Sequence, residues 1–179
     1  VSDSGEAIVH PHGNGTGVSL RKIVDGLIDR GLNMPVLLRF SDILDSRIKQ
    51  LHEGFGRAIE EFGYQGHYRG VYPIKVNQQR PLCEELRDAA AELGFGFEVG
   101  SKPELLAVLG RTEGQPEMPI VCNGFKDSEF IEAVILATKL GRHVIPVVER
   151  FSDLELIVKH AERYDVKPRI GVRIKPSAK

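Results

Sequence analysis

The chain has 179 residues, 41% hydrophobic and 27% charged, with 24 basic and 25 acidic side chains. That balance is of a soluble globular protein, and its near-neutral net charge with scattered Lys and Arg argues against a nucleic-acid partner. The longest apolar runs, such as Val144 to Val148, are far shorter than the roughly 20 residues of a membrane span.

Residues 1–18 are rich in Gly, Ser, Asp and His without an apolar period, and read as a loop or flexible N-terminal extension. His10 and His12 make an H-x-H pair that could hold a metal, although a loose tail is the simpler reading. Leu20, Ile23, Val24, Leu27 and Ile28 then share one helical face, with Ser19 placed to cap the helix and Gly31 to end it. Val36 to Phe40 is a short apolar run. Ser41 opens a second helix in which Leu44, Ile48, Leu51, Phe55, Ile59 and Phe62 keep helical spacing.

After Gly70 the pattern becomes a beat of apolar strand, short loop and helix. Strands are expected at 71–76, 95–99, 118–122, 144–148 and 169–174. The helices between them carry their own punctuation: Pro81 and Gly94 in the first, Ser101 with Glu104 as a capping box in the second, Asp127 and Gly141 around the third, Ser152 with Glu155 in the fourth. Strands alternating with helices of this length form parallel sheets with right-handed crossovers. No G-x-G-x-x-G follows any strand, so an α/β barrel is preferred to an open dinucleotide-binding sheet. Eight strands and about 250 residues make such a barrel. The expectation is therefore a partial (β/α)8 TIM-type barrel of about five βα units, within a chain that is part of something longer.

Cys83 and Cys122 form no disulfide framework and fit no zinc spacing, and neither a signal peptide nor a metal site is visible. His52, His67, His143 and His160 have no partner at ligand spacing and read as surface or loop residues.

Lys75, in Gly70-Val71-Tyr72-Pro73-Ile74-Lys75-Val76-Asn77, is a cation in an otherwise apolar strand near its C-terminal end, where barrel active sites lie. Buried there, it would lose basicity and gain the ability to condense with a carbonyl; a lysine snorkelling from a strand end is the competing reading. Glu98 occupies the same rim one unit along, or is an exposed carboxylate before a turn. Ser101 is first of all a helix cap. Arg173 needs an acidic or phosphate partner if it points inward, or pairs outward with a helix carboxylate. Asn123, Lys126 and Asp127 after the third strand, and Glu149 and Arg150 after the fourth, place polar groups repeatedly at that end.

The string from Gly70 to Gln79 resembles the cofactor-lysine segment of biosynthetic arginine decarboxylases. So do Gly100 to Leu109, Ile120 to Asp127 and Pro168 to Arg173. The resemblance implies an alanine-racemase-like barrel over residues 19–179 that binds pyridoxal 5'-phosphate as a Schiff base to Lys75. Glu98 and Arg173 would lie beside the cofactor ring, with Ser101 a weaker candidate.

It further implies a cytoplasmic enzyme turning L-arginine into agmatine and carbon dioxide in polyamine biosynthesis. Magnesium would be an additional requirement, and the complete enzyme a homo-oligomer. Decarboxylases of ornithine, lysine or diaminopimelate share the lysine strand and are the nearest alternatives, with a non-catalytic cofactor-binding or assembly module as a different class. In these enzymes the glycine-rich phosphate loop, the acid facing the pyridine nitrogen and the guanidinium-recognising residues come later, with the remaining barrel units and a β domain. The 179 residues by themselves are therefore expected to release no carbon dioxide from arginine.

Overall fold

The computed structural model describes residues 1–11 and 15–177, which fall into two compact units, Val1–Leu51 and His52–Lys179.

In the first unit, β1 (Ile8–Val9) pairs antiparallel with β2 (Val18–Ser19), so the extension expected over residues 1–18 carries a small sheet. Gly17 permits this pairing: a Cβ there would come within 2.3 Å of the Ile8 side chain. His12 lies outside the described residues, and the Nδ1 of His10 contacts the Gly15 carbonyl at 3.2 Å. Helix α1 (Leu20–Asp29) begins where expected, the Ser19 hydroxyl accepting from the Lys22 amide, and Gly31 turns the chain with φ at 81°. Helix α2 (Ser41–Glu61) runs through Gly54 and Gly56 without a break.

In the second unit Phe55, from the last turns of α2, stacks on Tyr68 at 4.0 Å between ring centroids, and Tyr68 meets Phe95 edge-on. Then follow β3 (Val71–Pro73), a 3-10 turn (Ile74–Val76), α3 (Arg80–Leu93), β4 (Gly96–Val99), α4 (Lys102–Arg111), β5 (Ile120–Cys122), α5 (Ser128–Lys139), β6 (Val144–Val148), α6 (Phe151–Tyr164) and β7 (Gly171–Val172). The five strands form one parallel sheet ordered β3-β4-β5-β6-β7. Spatial order follows chain order without the reversal of an open doubly wound sheet, which is the arrangement of a (β/α) barrel segment.

Alternation along the strands divides the sheet into two faces. Phe97, Val99, Ile120, Cys122 and Val144 are buried, as are Leu105 and Val108 of α4 and Phe130, Ile131, Val134 and Ile135 of α5. Burying each of these larger side chains contributes about 1.5–3 kcal/mol, so the outer layer is the main stabilising element. Ile131, Ile135 and Ile157 lock α5 to α6. His160 extends the inward face of α6 and is 2% exposed, its Nε2 2.9 Å from the Ser128 hydroxyl, so it is a buried residue and not the surface histidine expected.

The helix caps depart from the sequence reading in two places. Ser101 stands at the N-cap of α4 without a side-chain capping bond, and Glu104 instead accepts from the Gly100 amide at 2.6 Å. Helix α6 starts two residues earlier than a Ser152 cap would place it, with Arg150 at the N-cap and Asp153 reaching back to the Glu149 and Arg150 amides. Asp127 does cap α5, accepting from the Phe130 amide at 2.7 Å.

Gly96 is required by close approach, because a Cβ there would lie 1.9 Å from the Pro119 carbonyl oxygen. Gly96→Ala should therefore cost about 1–3 kcal/mol, lowering the thermal unfolding midpoint by several degrees. Gly110→Ala, in open space within α4, should leave the midpoint unchanged or raise it slightly. Equal behaviour of the two variants in thermal melts would contradict the β4-β5 register.

Candidate active site

Parallel pairing sets Pro73 beside Glu98 and Glu98 beside Val121, so the C-terminal ends of the strands make one rim. The strand expected over 71–76 ends at Pro73, which has no amide hydrogen to continue the ladder, and the chain tightens into the 3-10 turn. Lys75 thus leaves the rim from a turn and not from within a strand. Its side chain is 65% exposed, so the burial expected for it is not found. The turn is tied down by Asn77, whose side-chain oxygen accepts from the Gln79 amide and whose carbonyl accepts from the Tyr72 hydroxyl at 3.4 Å.

The Lys75 Nζ lies 3.8 Å from the Glu98 Oε1, and Glu98 is 8% exposed. Asn123, following β5, donates through Nδ2 to the same Glu98 oxygen at 3.4 Å. On β7 the ladder continues past Val172, the Arg173 amide donating to the Val148 carbonyl, and the Arg173 guanidinium donates to Glu149 Oε1 at 3.3 Å. Lys75, Glu98, Asn123 and Arg173 all line one cavity of about 770 Å³, walled below by Val71, Pro73 and Val147. Of the four residues expected at the site, Lys75, Glu98 and Arg173 are brought together. Ser101 is not: it lines a separate cavity of about 370 Å³ with Cys83, Arg111 and Gln78.

Beneath the rim lies a second polar layer. Lys126 is 1% exposed and donates to the Gly124 carbonyl at 2.7 Å. Burial pulls its basicity below that of an ordinary lysine, against the opposing charges of Asp153 and Glu149. Burial would push the Asp153 carboxyl up, yet the Arg150 guanidinium and the Glu149 and Arg150 amides together hold it below the usual carboxylate range. Glu149 is held low chiefly by the Gly124 amide. Desolvation pushes the Cys122 thiol up to about 12, so it is an inert core group. The polar residues expected after the third and fourth strands therefore divide three ways: Asn123 on the cavity, Lys126 and Glu149 beneath it, and Asp127 and Arg150 at the N-caps of α5 and α6. Asn123 and Glu149 were visible in the sequence as strand-end polar residues, but nothing in their spacing separated them from Lys126.

The set fits a carbonyl-bearing aromatic anion such as pyridoxal phosphate. It offers one exposed primary amine, a carboxylate beside it, an amide and a guanidinium, around a volume typical of organic cofactor sites. Among the described residues no group of three His, Cys, Asp or Glu could hold a metal ion, and no helix is long and apolar enough to cross a membrane.

Residues 47–179 match the family described as pyridoxal-dependent decarboxylase, pyridoxal binding domain. The chain belongs to that family. Biosynthetic arginine decarboxylases from Rhodopirellula baltica and Gloeobacter violaceus are each 47% identical to it, over 98% and 100% of this chain. The chain spans about a quarter of the length of these curated relatives, 26% and 28%.

Among solved structures, the biosynthetic arginine decarboxylase from Campylobacter jejuni superposes with a TM-score of 0.84 at 30% identity, over 97% of this chain and 30% of that one. The diaminopimelate decarboxylase from M. jannaschii, 22% identical, shares the fold with a TM-score of 0.55 over 75% of this chain and 30% of that one. The partial-barrel reading thus holds for this decarboxylase family member.

Asp153 offers a test of the layer beneath the rim. A carboxyl with a depressed folded pKa stabilises above its unfolded value, near 3.9, and that stabilisation is lost as pH falls through the folded pKa. Asp153→Asn should cost about 1–3 kcal/mol at pH 7, and the gap to the parent should narrow as pH falls below about 4. Urea unfolding at the two pH values measures this; a gap independent of pH would contradict the assignment.

Proposed function

We propose that the chain forms the cofactor-binding part of a biosynthetic arginine decarboxylase, which converts L-arginine to agmatine and carbon dioxide. The observation that carries this is the position of the Lys75 amine over Glu98 at the mouth of a strand-end cavity. The family membership supports the cofactor, and the biosynthetic arginine decarboxylases among its relatives, at 42–47% identity, support arginine over ornithine, lysine or diaminopimelate.

In this reading Lys75 supplies the amine that holds the cofactor aldehyde, and Glu98 and Arg173 flank the ring. Pyridoxal phosphate supplies an electron-accepting ring for the pair released as the substrate carboxylate leaves. The protein's own contribution is placement and charge. Glu98 sets its carboxylate 3.8 Å from the Lys75 amine, and Asn123 holds that carboxylate in place through its amide. Because Lys75 is largely exposed and its pair with Glu98 is worth at most about 1 kcal/mol, little is lost when the amine leaves its ionic partner to react. Val71, Pro73 and Val147 form an apolar floor that excludes water from one side of the cavity.

The protein at its full natural length, loaded with pyridoxal phosphate, should release carbon dioxide from L-arginine. The rate should exceed those with ornithine, lysine and diaminopimelate by about 100-fold or more. Lys75→Ala should lower the arginine rate by about 1,000-fold or more. Preferential release from another of these amino acids would overturn the substrate assignment, and an unimpaired Lys75→Ala enzyme would overturn the reading of the site.

A further inference from the structure

We propose, resting on the cofactor reading above, that Glu149 is a positioning residue: it fixes Arg173 and the Asn123-Gly124 turn around the cavity that takes pyridoxal phosphate. Glu149 follows β6 and does not itself line that cavity. Its single oxygen Oε1 accepts from the Gly124 amide at 2.8 Å and from the Arg173 guanidinium at 3.3 Å. One carboxylate therefore joins the strand ends on both sides of its own.

Each partner is arranged for this role. Gly124 has φ at 78°, a conformation open to glycine, and a Cβ there would approach the Gly100 carbonyl oxygen to 3.2 Å. The tight turn presents the Gly124 amide to Glu149 while Asn123, one residue earlier, reaches Glu98. Arg173 is 58% exposed on a long, rotamer-rich side chain, and the Glu149 carboxylate is its ion-pair partner. Glu149 is anchored in turn, its own amide donating to the buried Asp153 carboxylate at 3.2 Å. The Gly124 amide also holds the Glu149 carboxyl below the usual carboxylate range, which favours the charged form that pairs with Arg173. A continuous series results across five strand ends: Lys75, Glu98, Asn123 with Gly124, Glu149, Arg173.

The test uses the full-length protein and its affinity for pyridoxal phosphate, titrated by visible absorbance, with Glu149→Gln, Arg173→Gln and the double variant. Removal of a supporting residue of this kind weakens binding by about 10–100-fold. Glu149→Gln keeps an oxygen able to accept from the Gly124 amide but loses the charge facing Arg173, so it should raise the Kd by about tenfold, and the double variant should bind no more weakly than Arg173→Gln alone, because both changes remove the same ion pair. Glu149→Asp, which keeps the charge, should recover most of the loss, and Glu149→Ala takes the place of the glutamine variant in the comparison should the latter fail to fold. Wild-type affinity in Glu149→Gln beside a weakened Arg173→Gln, or additive losses in the double variant, would overturn the role of Glu149 while leaving the cofactor reading intact. Absence of binding by the parent protein would overturn both.

Discussion

Parallel hydrogen bonding forces neighbouring strands to run in the same direction, and so brings all their C-terminal ends to one edge of the sheet. In this chain the register places Pro73, Glu98 and Val121 side by side, and continues through Ile145 of β6. This single constraint brings the strand ends to one side, where Lys75, Glu98, Asn123 and Arg173 line one cavity. The crossover helices supply the energy that enforces it, since the buried face of the sheet packs on α4 and α5 through Val99, Leu105, Ile120, Ile131 and Ile135. The opposite face, with Val71, Pro73, Glu98 and Val147, lines the cavity.

Charge is distributed across the rim in alternation. The cations Lys75 and Arg173 stand at the two outer strands and the carboxylates Glu98 and Glu149 between them, with the Asn123 amide bridging toward Glu98. Each exposed pair contributes little to stability on its own. The buried members underneath have a different role: Lys126 and Asp153 are nearly inaccessible, Lys126 donating to the Gly124 carbonyl and Asp153 accepting from the Glu149 and Arg150 amides. The layer that binds is therefore loosely held by charge, and the layer that supports it is rigidly held by hydrogen bonds.

Much of this was legible in the sequence because it is local. Asp127 as a cap, Gly31, Gly94 and Gly141 as turn residues with positive φ, and the strand cores all follow from near neighbours along the chain. Lys75, Glu98 and Arg173 were visible at strand ends, but position alone left a snorkelling lysine, an exposed carboxylate and an outward-paired arginine as alternatives, and the family resemblance singled them out. The features that escaped depend on contacts distant in sequence or on competition between local options. Glu104 was expected to complete a capping box with Ser101 but bonds to the Gly100 amide, and Ser152 yields the helix start to Arg150 because Asp153 has two backbone amides within reach. Pro73 was visible as an awkward strand residue; that it ends the strand and sets Lys75 on a turn is a consequence of the ladder. His160 looked exposed because its partner Ser128 lies on another helix.

The central claim is that the amine of Lys75, held at the strand-end rim beside Glu98, is the group that condenses with pyridoxal phosphate. Reduction of the cofactor-loaded protein with borohydride, followed by proteolysis and mass spectrometry, reads the attachment point directly. The account predicts a phosphopyridoxyl group on the peptide containing Lys75 and nowhere else in stoichiometric amount. Stable labelling of another lysine, such as Lys126, with Lys75 unmodified would contradict it.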